Sequence, residues 1–110
     1  MRLSVIIPTY NRAGCLPATL RAIENQIVSN DDFEVIVVDD GSDEPALRDI
    51  GKMVISYRYR LLKKEHGGLA SARNLGAKHA KGDILHFLDD DVIPGADTLK
   101  QHLMSHENNS

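Results

Sequence analysis

Four short polar stretches hold the residue types that bind phosphates, sugars and divalent cations. Asp89-Asp90-Asp91 follows the apolar run Asp83-Ile84-Leu85-His86-Phe87-Leu88, and Asp39-Asp40-Gly41-Ser42 follows Phe33-Glu34-Val35-Ile36-Val37-Val38. Pro8-Thr9-Tyr10 follows Leu3-Ser4-Val5-Ile6-Ile7, and His66-Gly67-Gly68 precedes a helical stretch that contains Arg73. Three consecutive carboxylates cannot follow Phe87 and Leu88 into a core, because each unpaired buried charge costs several kcal/mol (order of magnitude). They must emerge at a rim, facing water, a cation or a ligand rich in donors. Carboxylate oxygens suit Mg²⁺ or Mn²⁺, which bridge carboxylates and phosphate oxygens. Asp91, with Asp89, is the candidate ligand, and a cation held there acts as a Lewis acid on a departing phosphate. Asp39 and Asp40 either accept N–H and ribose hydroxyl bonds or cap the turn that follows them. Arg73 either reaches a pyrophosphate or forms a surface ion pair.

These residues need a scaffold that brings them together, and the hydrophobic pattern supplies one. Leu3–Ile7, Phe33–Val38 and Asp83–Leu88 read as buried strands. Ile55–Leu62 reads as a charged edge strand, an arrangement that discourages association between sheets. Leu16, Leu20, Ile23 and Ile27 fall on one helical face, with Pro17 in the first turn. Glu44–Ile50 reads as a short helix. Leu69–Ala80 is a helix with a small face of Ala72, Gly76 and Ala80, stopped by Gly82 in a left-handed conformation. Asp97–Met104 opens a last helix. Strands and helices alternate, which implies an α/β fold with a mostly parallel sheet flanked by helices. All four polar stretches then lie beyond the carboxyl ends of strands, where such sheets bind ligands.

Composition narrows the function. At 110 residues the chain is long enough for one domain and not two. A formal charge of −3 argues against nucleic acid as a partner. One cysteine, Cys15, excludes an internal disulfide and reads as a buried or inert thiol. No apolar run is long enough to span a bilayer, and the start runs straight into a strand. The expected location is therefore cytoplasmic, including the cytoplasmic membrane surface. Neither a dinucleotide Gly-x-Gly-x-x-Gly turn nor a P-loop follows the first strand, so phosphate charge must be met in another way.

Val5-Ile6-Ile7-Pro8-Thr9-Tyr10-Asn11-Arg12, Val37-Val38-Asp39-Asp40-Gly41-Ser42, Gly67-Gly68-Leu69-Ala70-Ser71-Ala72-Arg73-Asn74 and Phe87-Leu88-Asp89-Asp90-Asp91 together resemble the donor-binding half of family 2 glycosyltransferases. The resemblance covers essentially the whole chain. It implies a Rossmann-like nucleotide-binding half, a truncated GT-A fold. It also implies metal-dependent transfer of a sugar from a nucleotide-sugar, typically UDP-linked, to an acceptor hydroxyl, as in polysaccharide biosynthesis. The implied partners are the nucleotide-sugar donor and a carbohydrate or lipid-linked acceptor.

By position, the resemblance places Pro8, Thr9 and Tyr10 in the nucleoside pocket and Asp40 as an acceptor from the base. It puts Arg73 near base or diphosphate, and lets the backbone at Gly67 and Gly68 approach the nucleotide. Asp89 and Asp91 match the outer positions of the Asp-x-Asp motif, with Asp91 the direct metal ligand and Asp89 by the ribose or a metal-bound water. Asp90 takes the variable position. The family's general base matches no residue here and falls further along the chain than residue 110. The whole chain is thus expected to be a single nucleotide-sugar-binding domain of a longer enzyme, inactive by itself because transfer needs that base within hydrogen-bond reach. A noncatalytic nucleotide-sugar-binding domain is the alternative. A sugar nucleotidyltransferase would want a Gly-rich basic signature after the first strand. A phosphoacceptor receiver module would want its acidic pair there.

Overall fold

The computed structural model describes residues 2–11, 15–43 and 55–109. The strands β1 (Leu3–Thr9), β2 (Phe33–Asp39), β3 (Arg58–Lys63) and β4 (Ile84–Phe87) form one sheet in the order β3-β2-β1-β4, and every pairing is parallel. The helices are α1 (Leu16–Glu24), α2 (Leu69–His79) and α3 (Thr98–Asn109). The short helix expected over Glu44–Ile50 lies outside the described residues.

β1 and β2 are buried along their whole lengths, as their aliphatic runs require. Alternate side chains then serve two separate cores. Leu3, Val5, Ile7, Phe33, Val35 and Val37 pack with Leu16, Leu20 and Ile23 of α1 and with Leu99 and Leu103 of α3. Ile6, Ile36 and Val38 face the other way, onto Ala72 of α2. α2 lies close on the sheet because of its small residues: a Cβ on Gly76 would sit 2.4 Å from Ile6 Cγ2.

Four local expectations are corrected by the tertiary structure. The apolar spacing carries α1 to Ile27, but the helix stops at Glu24. Gln26 leaves it to donate to the Gly95 carbonyl (2.6 Å) and accept from Leu99 N–H (3.0 Å), and Ile27 N–H donates to the Ala96 carbonyl, leaving the Ile27 side chain exposed. Gly82 is no left-handed stop. It has no positive φ; a Cβ there would press within 2.9 Å of the Arg2 carbonyl oxygen, and its N–H donates to Ser4 Oγ. β4 is not buried on both faces. It pairs only with β1 among the described residues, and Leu85 and Phe87 are exposed on its outer side. The third strand also starts later than its sequence pattern, at Arg58. Tyr57 instead tucks in, donating its hydroxyl to the Leu20 carbonyl at 2.8 Å.

Sheet order fixes where a ligand can sit. The chain moves outward from β1 to β2 and β3, then returns to lay β4 on the other side of β1. The crevice beyond the carboxyl ends, where strand order reverses, lies between β1 and its neighbours.

Candidate nucleotide site

Register brings the polar stretches level. Thr9 pairs with Asp39 and Asp39 with Lys63, while β4 ends opposite Ile6. The loops that continue from these ends enclose a cleft of about 510 Å³, within the range of small-molecule sites. Pro8, Thr9 and Tyr10 line it from β1 and Asp40 from β2. His66, Gly68, Leu69 and Ala72 line it from the start of α2, and Asp89, Asp90 and Asp91 from the end of β4.

The loops after β1 and β2 are tied to each other. Asn11 adopts a left-handed backbone (φ 52°), which asparagine tolerates better than most residues. Its N–H donates to Ser42 Oγ at 2.7 Å, and its Oδ1 accepts from Asp43 N–H at 2.9 Å. Asp39 is buried and caps this turn, Oδ2 accepting from Ser42 N–H at 3.0 Å. Its Oδ1 has no hydrogen-bond partner among the described residues.

Asp40 is the electrostatic centre of the site. The residue is buried, yet its carboxylate accepts three hydrogen bonds and has an imidazole nitrogen beside it. Lys64 Nζ is 2.8 Å from Oδ1 and Gly67 N–H 3.0 Å from the same oxygen. Gly68 N–H is 2.9 Å from Oδ2, and His66 Nδ1 lies 3.0 Å from Oδ2. Burial alone would push this carboxyl up. The bonds from Lys64, Gly67 and Gly68, with the Lys64 charge, outweigh it and hold the carboxyl at about 2, below its usual 3.8. The N–H groups of Gly67 and Gly68 thus face Asp40. Lys64 falls past the expected edge strand, Ile55–Leu62; its register position one step beyond the Asp39–Lys63 pair is what lets it reach Asp40.

The three aspartates after β4 take separate directions. Asp90 turns inward and is buried, its Oδ2 accepting from the Thr9 hydroxyl at 2.8 Å. Thr19 of α1 reaches the Asp90 and Val92 carbonyls at 2.9 and 2.7 Å, so α1 holds the same turn from below. Asp89 and Asp91 are exposed on the cleft wall. Arg73 approaches from α2, with Nη2 3.9 Å from Asp89 Oδ1 and its guanidinium 5.7 Å from the Phe87 ring centroid. Arg73 is not part of the cleft lining itself, and its Nε is buried with no hydrogen-bond partner among the described residues.

No group of three or more potential ligating side chains forms among the described residues. That donor set still fits Mg²⁺ or Mn²⁺, which take one or two carboxylates and complete their shell with water and substrate phosphates. Opposite the aspartates, Tyr10 and His66 stack with ring centroids 4.2 Å apart and planes 29° apart. Tyr10 was among the expected pocket residues; the part of His66 was missed, because nothing local links it to Tyr10. Cys15, expected buried or inert, is exposed and unpaired just before α1. No helix among the described residues is long and apolar enough to cross a membrane.

A family model, Glycosyl transferase family 2, matches residues 4–110. Validoxylamine A glucosyltransferase of Streptomyces hygroscopicus subsp. jinggangensis is 44% identical over 110 residues, a match covering 94% of this chain and 25% of that protein. The structure of Staphylococcus aureus TarS 1–349 in complex with UDP-GlcNAc superposes with a TM-score of 0.89 at 31% identity, covering 98% of this chain and 32% of that one. The mannosyltransferase PcManGT from Pyrobaculum calidifontis, in complex with GDP-Man and Mn²⁺, superposes with a TM-score of 0.83 at 34% identity, covering 93% and 31%. The chain therefore spans about a quarter to a third of these relatives.

Proposed function

Because the chain belongs to glycosyl transferase family 2, we propose that its cleft binds the nucleotide of a sugar donor, UDP-linked, and presents the activated sugar for transfer to an acceptor hydroxyl. The carrying observation is convergence. Segments following β1, β2 and β4, and the start of α2, put an aromatic platform, a carboxylate acceptor and two exposed carboxylates around one cleft.

Tyr10 would take the base on its ring, and Asp40 would accept a base N–H. Pro8 and Thr9 shape the floor, Thr9 by fixing the Asp90 carboxylate through its hydroxyl. Gly68 lets the start of α2 come close. Asp91, with Asp89 beside it, would hold Mn²⁺ or Mg²⁺, whose charge when bound offsets that of the leaving diphosphate. Arg73 adds a second cation on the same side. Its contact to Asp89 is long, which leaves the exposed end of the guanidinium as a donor for a diphosphate oxygen.

We also propose that residues 1–110 form the donor-binding part of a longer transferase and do not transfer sugar by themselves. The length of the relatives supports this, since the match covers only 25% and 32% of two of them. The acceptor would be a carbohydrate or a lipid-linked one, and transfer assays of this segment would stay at background. A noncatalytic nucleotide-sugar-binding role is the second reading. It is favoured by the engagement of Asp40 and Asp90 in internal hydrogen bonds.

Calorimetric titration of UDP against inorganic pyrophosphate tests the binding reading. UDP should bind the tighter, and Tyr10→Ala should weaken UDP roughly tenfold, as loss of a base–aromatic stack does, while leaving pyrophosphate unchanged. Equal affinity for the two ligands, or indifference to Tyr10→Ala, would overturn it.

A further inference from the structure

We propose that His66 stands in for the nucleobase in the donor-free chain, and that its displacement makes this imidazole a determinant of nucleotide affinity. The inference rests on the nucleotide reading above and goes beyond it, since that reading gives His66 no part.

Two independent contacts carry it. The imidazole is a flat nitrogen heterocycle stacked on Tyr10, the platform proposed for the base, with centroids 4.2 Å apart. Its Nδ1 lies 3.0 Å from Asp40 Oδ2 and 3.1 Å from the Asp40 carbonyl oxygen. Both oxygens are acceptors, so Nδ1 carries the proton and donates. A ring stacked on Tyr10 with an N–H directed at Asp40 is the same pair of contacts proposed for a bound base.

The shared platform makes the two rings exclusive, since both stack on Tyr10. A carboxylate offers about four lone-pair positions. Lys64, Gly67 and Gly68 take three, and the His66 ring stands before the remaining one, its Nδ1 3.0 Å from Oδ2. A base N–H must come in there, and the imidazole is the group free to leave. The Gly67 and Gly68 N–H groups are backbone at the start of α2, and the Lys64 side chain is only 16% exposed, against 57% for His66. The backbone of His66 stays put, because Gly41 packs on it so closely that a Cβ there would lie 2.7 Å from His66 N. What moves is the ring, by rotation of the side chain toward solvent.

Removing the ring should tighten binding, since the competent state would no longer be a fraction of the population. UDP is titrated into wild type and His66→Ala. The expected dissociation constant of the variant is lower by roughly three- to tenfold, the weight of one aromatic stack. Equal or weaker binding by His66→Ala, with wild type still binding UDP, overturns the stand-in and leaves the nucleotide reading intact. Failure of both proteins to bind UDP overturns both. A second measurement does not depend on the variant. In wild type, the His66 ring protons are shifted by the Tyr10 ring current and should move to unstacked positions as UDP saturates the chain. Ring signals that stay shifted at saturation would mean His66 remains on Tyr10, and the proposal fails.

Discussion

The Thr9 hydroxyl donates to Asp90 Oδ2 at 2.8 Å, tying the end of β1 to the turn after β4 and drawing the middle carboxylate of three into the protein. Neighbouring aspartates therefore have opposite consequences when changed. Asp90→Ala strands a buried Thr9 hydroxyl and should lower unfolding free energy by about 1–3 kcal/mol. Asp91→Ala removes an exposed side chain and should stay within about 0.5 kcal/mol of wild type. Chemical denaturation of the two variants checks the contrast; equal losses would refute the inward turn of Asp90.

Asp40 contributes a pH dependence whose direction follows from its surroundings. Its carboxyl is held at about 2 in the folded chain, against an ordinary 3.8. The unfolded chain thus binds the proton more readily. Stability from ionised Asp40 is fully present above 3.8 and is lost as pH falls toward 2. Asp40→Asn should be less stable than wild type by a constant margin above about pH 4, and the margin should shrink below it. Denaturation curves collected down the acid range measure this, and a margin unchanged by acid would contradict the hydrogen bonds from Lys64, Gly67 and Gly68.

Gly41 and Gly68 both hold a positive φ, 86° and 100°, but only Gly41 is crowded. A methyl group on Gly41 meets His66 N at 2.7 Å, whereas one on Gly68 meets nothing within 4 Å. Gly68→Ala should cost only backbone strain, about 1 kcal/mol. Gly41→Ala should cost more, about 2–4 kcal/mol, because strain and overlap combine. It should also displace the loop that carries His66. Thermal unfolding of the pair gives the order, and the reverse order would show that the two loops do not touch.

The layout of the site was legible in the sequence because it depends on local rules. Aliphatic runs ended in Pro8-Thr9-Tyr10, in Asp39-Asp40 and in Asp89-Asp90-Asp91, and α/β alternation sends such ends to one edge. The small face of α2 was equally readable, and Gly76 lies against Ile6. Features fixed by distant partners were hidden. Three identical aspartates gave no sign that Thr9 would select the middle one. Gln26 breaks α1 by bonding to Gly95 and Leu99, and no periodicity records that. Among the described residues β4 is an edge strand through sheet order, which its own four residues do not encode. Glu34 on β2 was passed over as an ordinary strand residue. It is buried, and it accepts from Ser4 Oγ at 2.6 Å and from Lys81 N–H at 2.7 Å. Burial would raise its carboxyl, but these bonds and Arg60 leave it lowered.

The proposed site requires Asp91 and a divalent cation to act together on a nucleoside diphosphate in this cleft. Calorimetric titration of UDP with and without Mn²⁺, on wild type and on Asp91→Ala, tests it most directly. Mn²⁺ should tighten UDP binding to wild type by roughly tenfold or more, as linked binding of ion and phosphate requires, and should leave Asp91→Ala unmoved. UDP affinity that is the same in all four titrations would contradict the account.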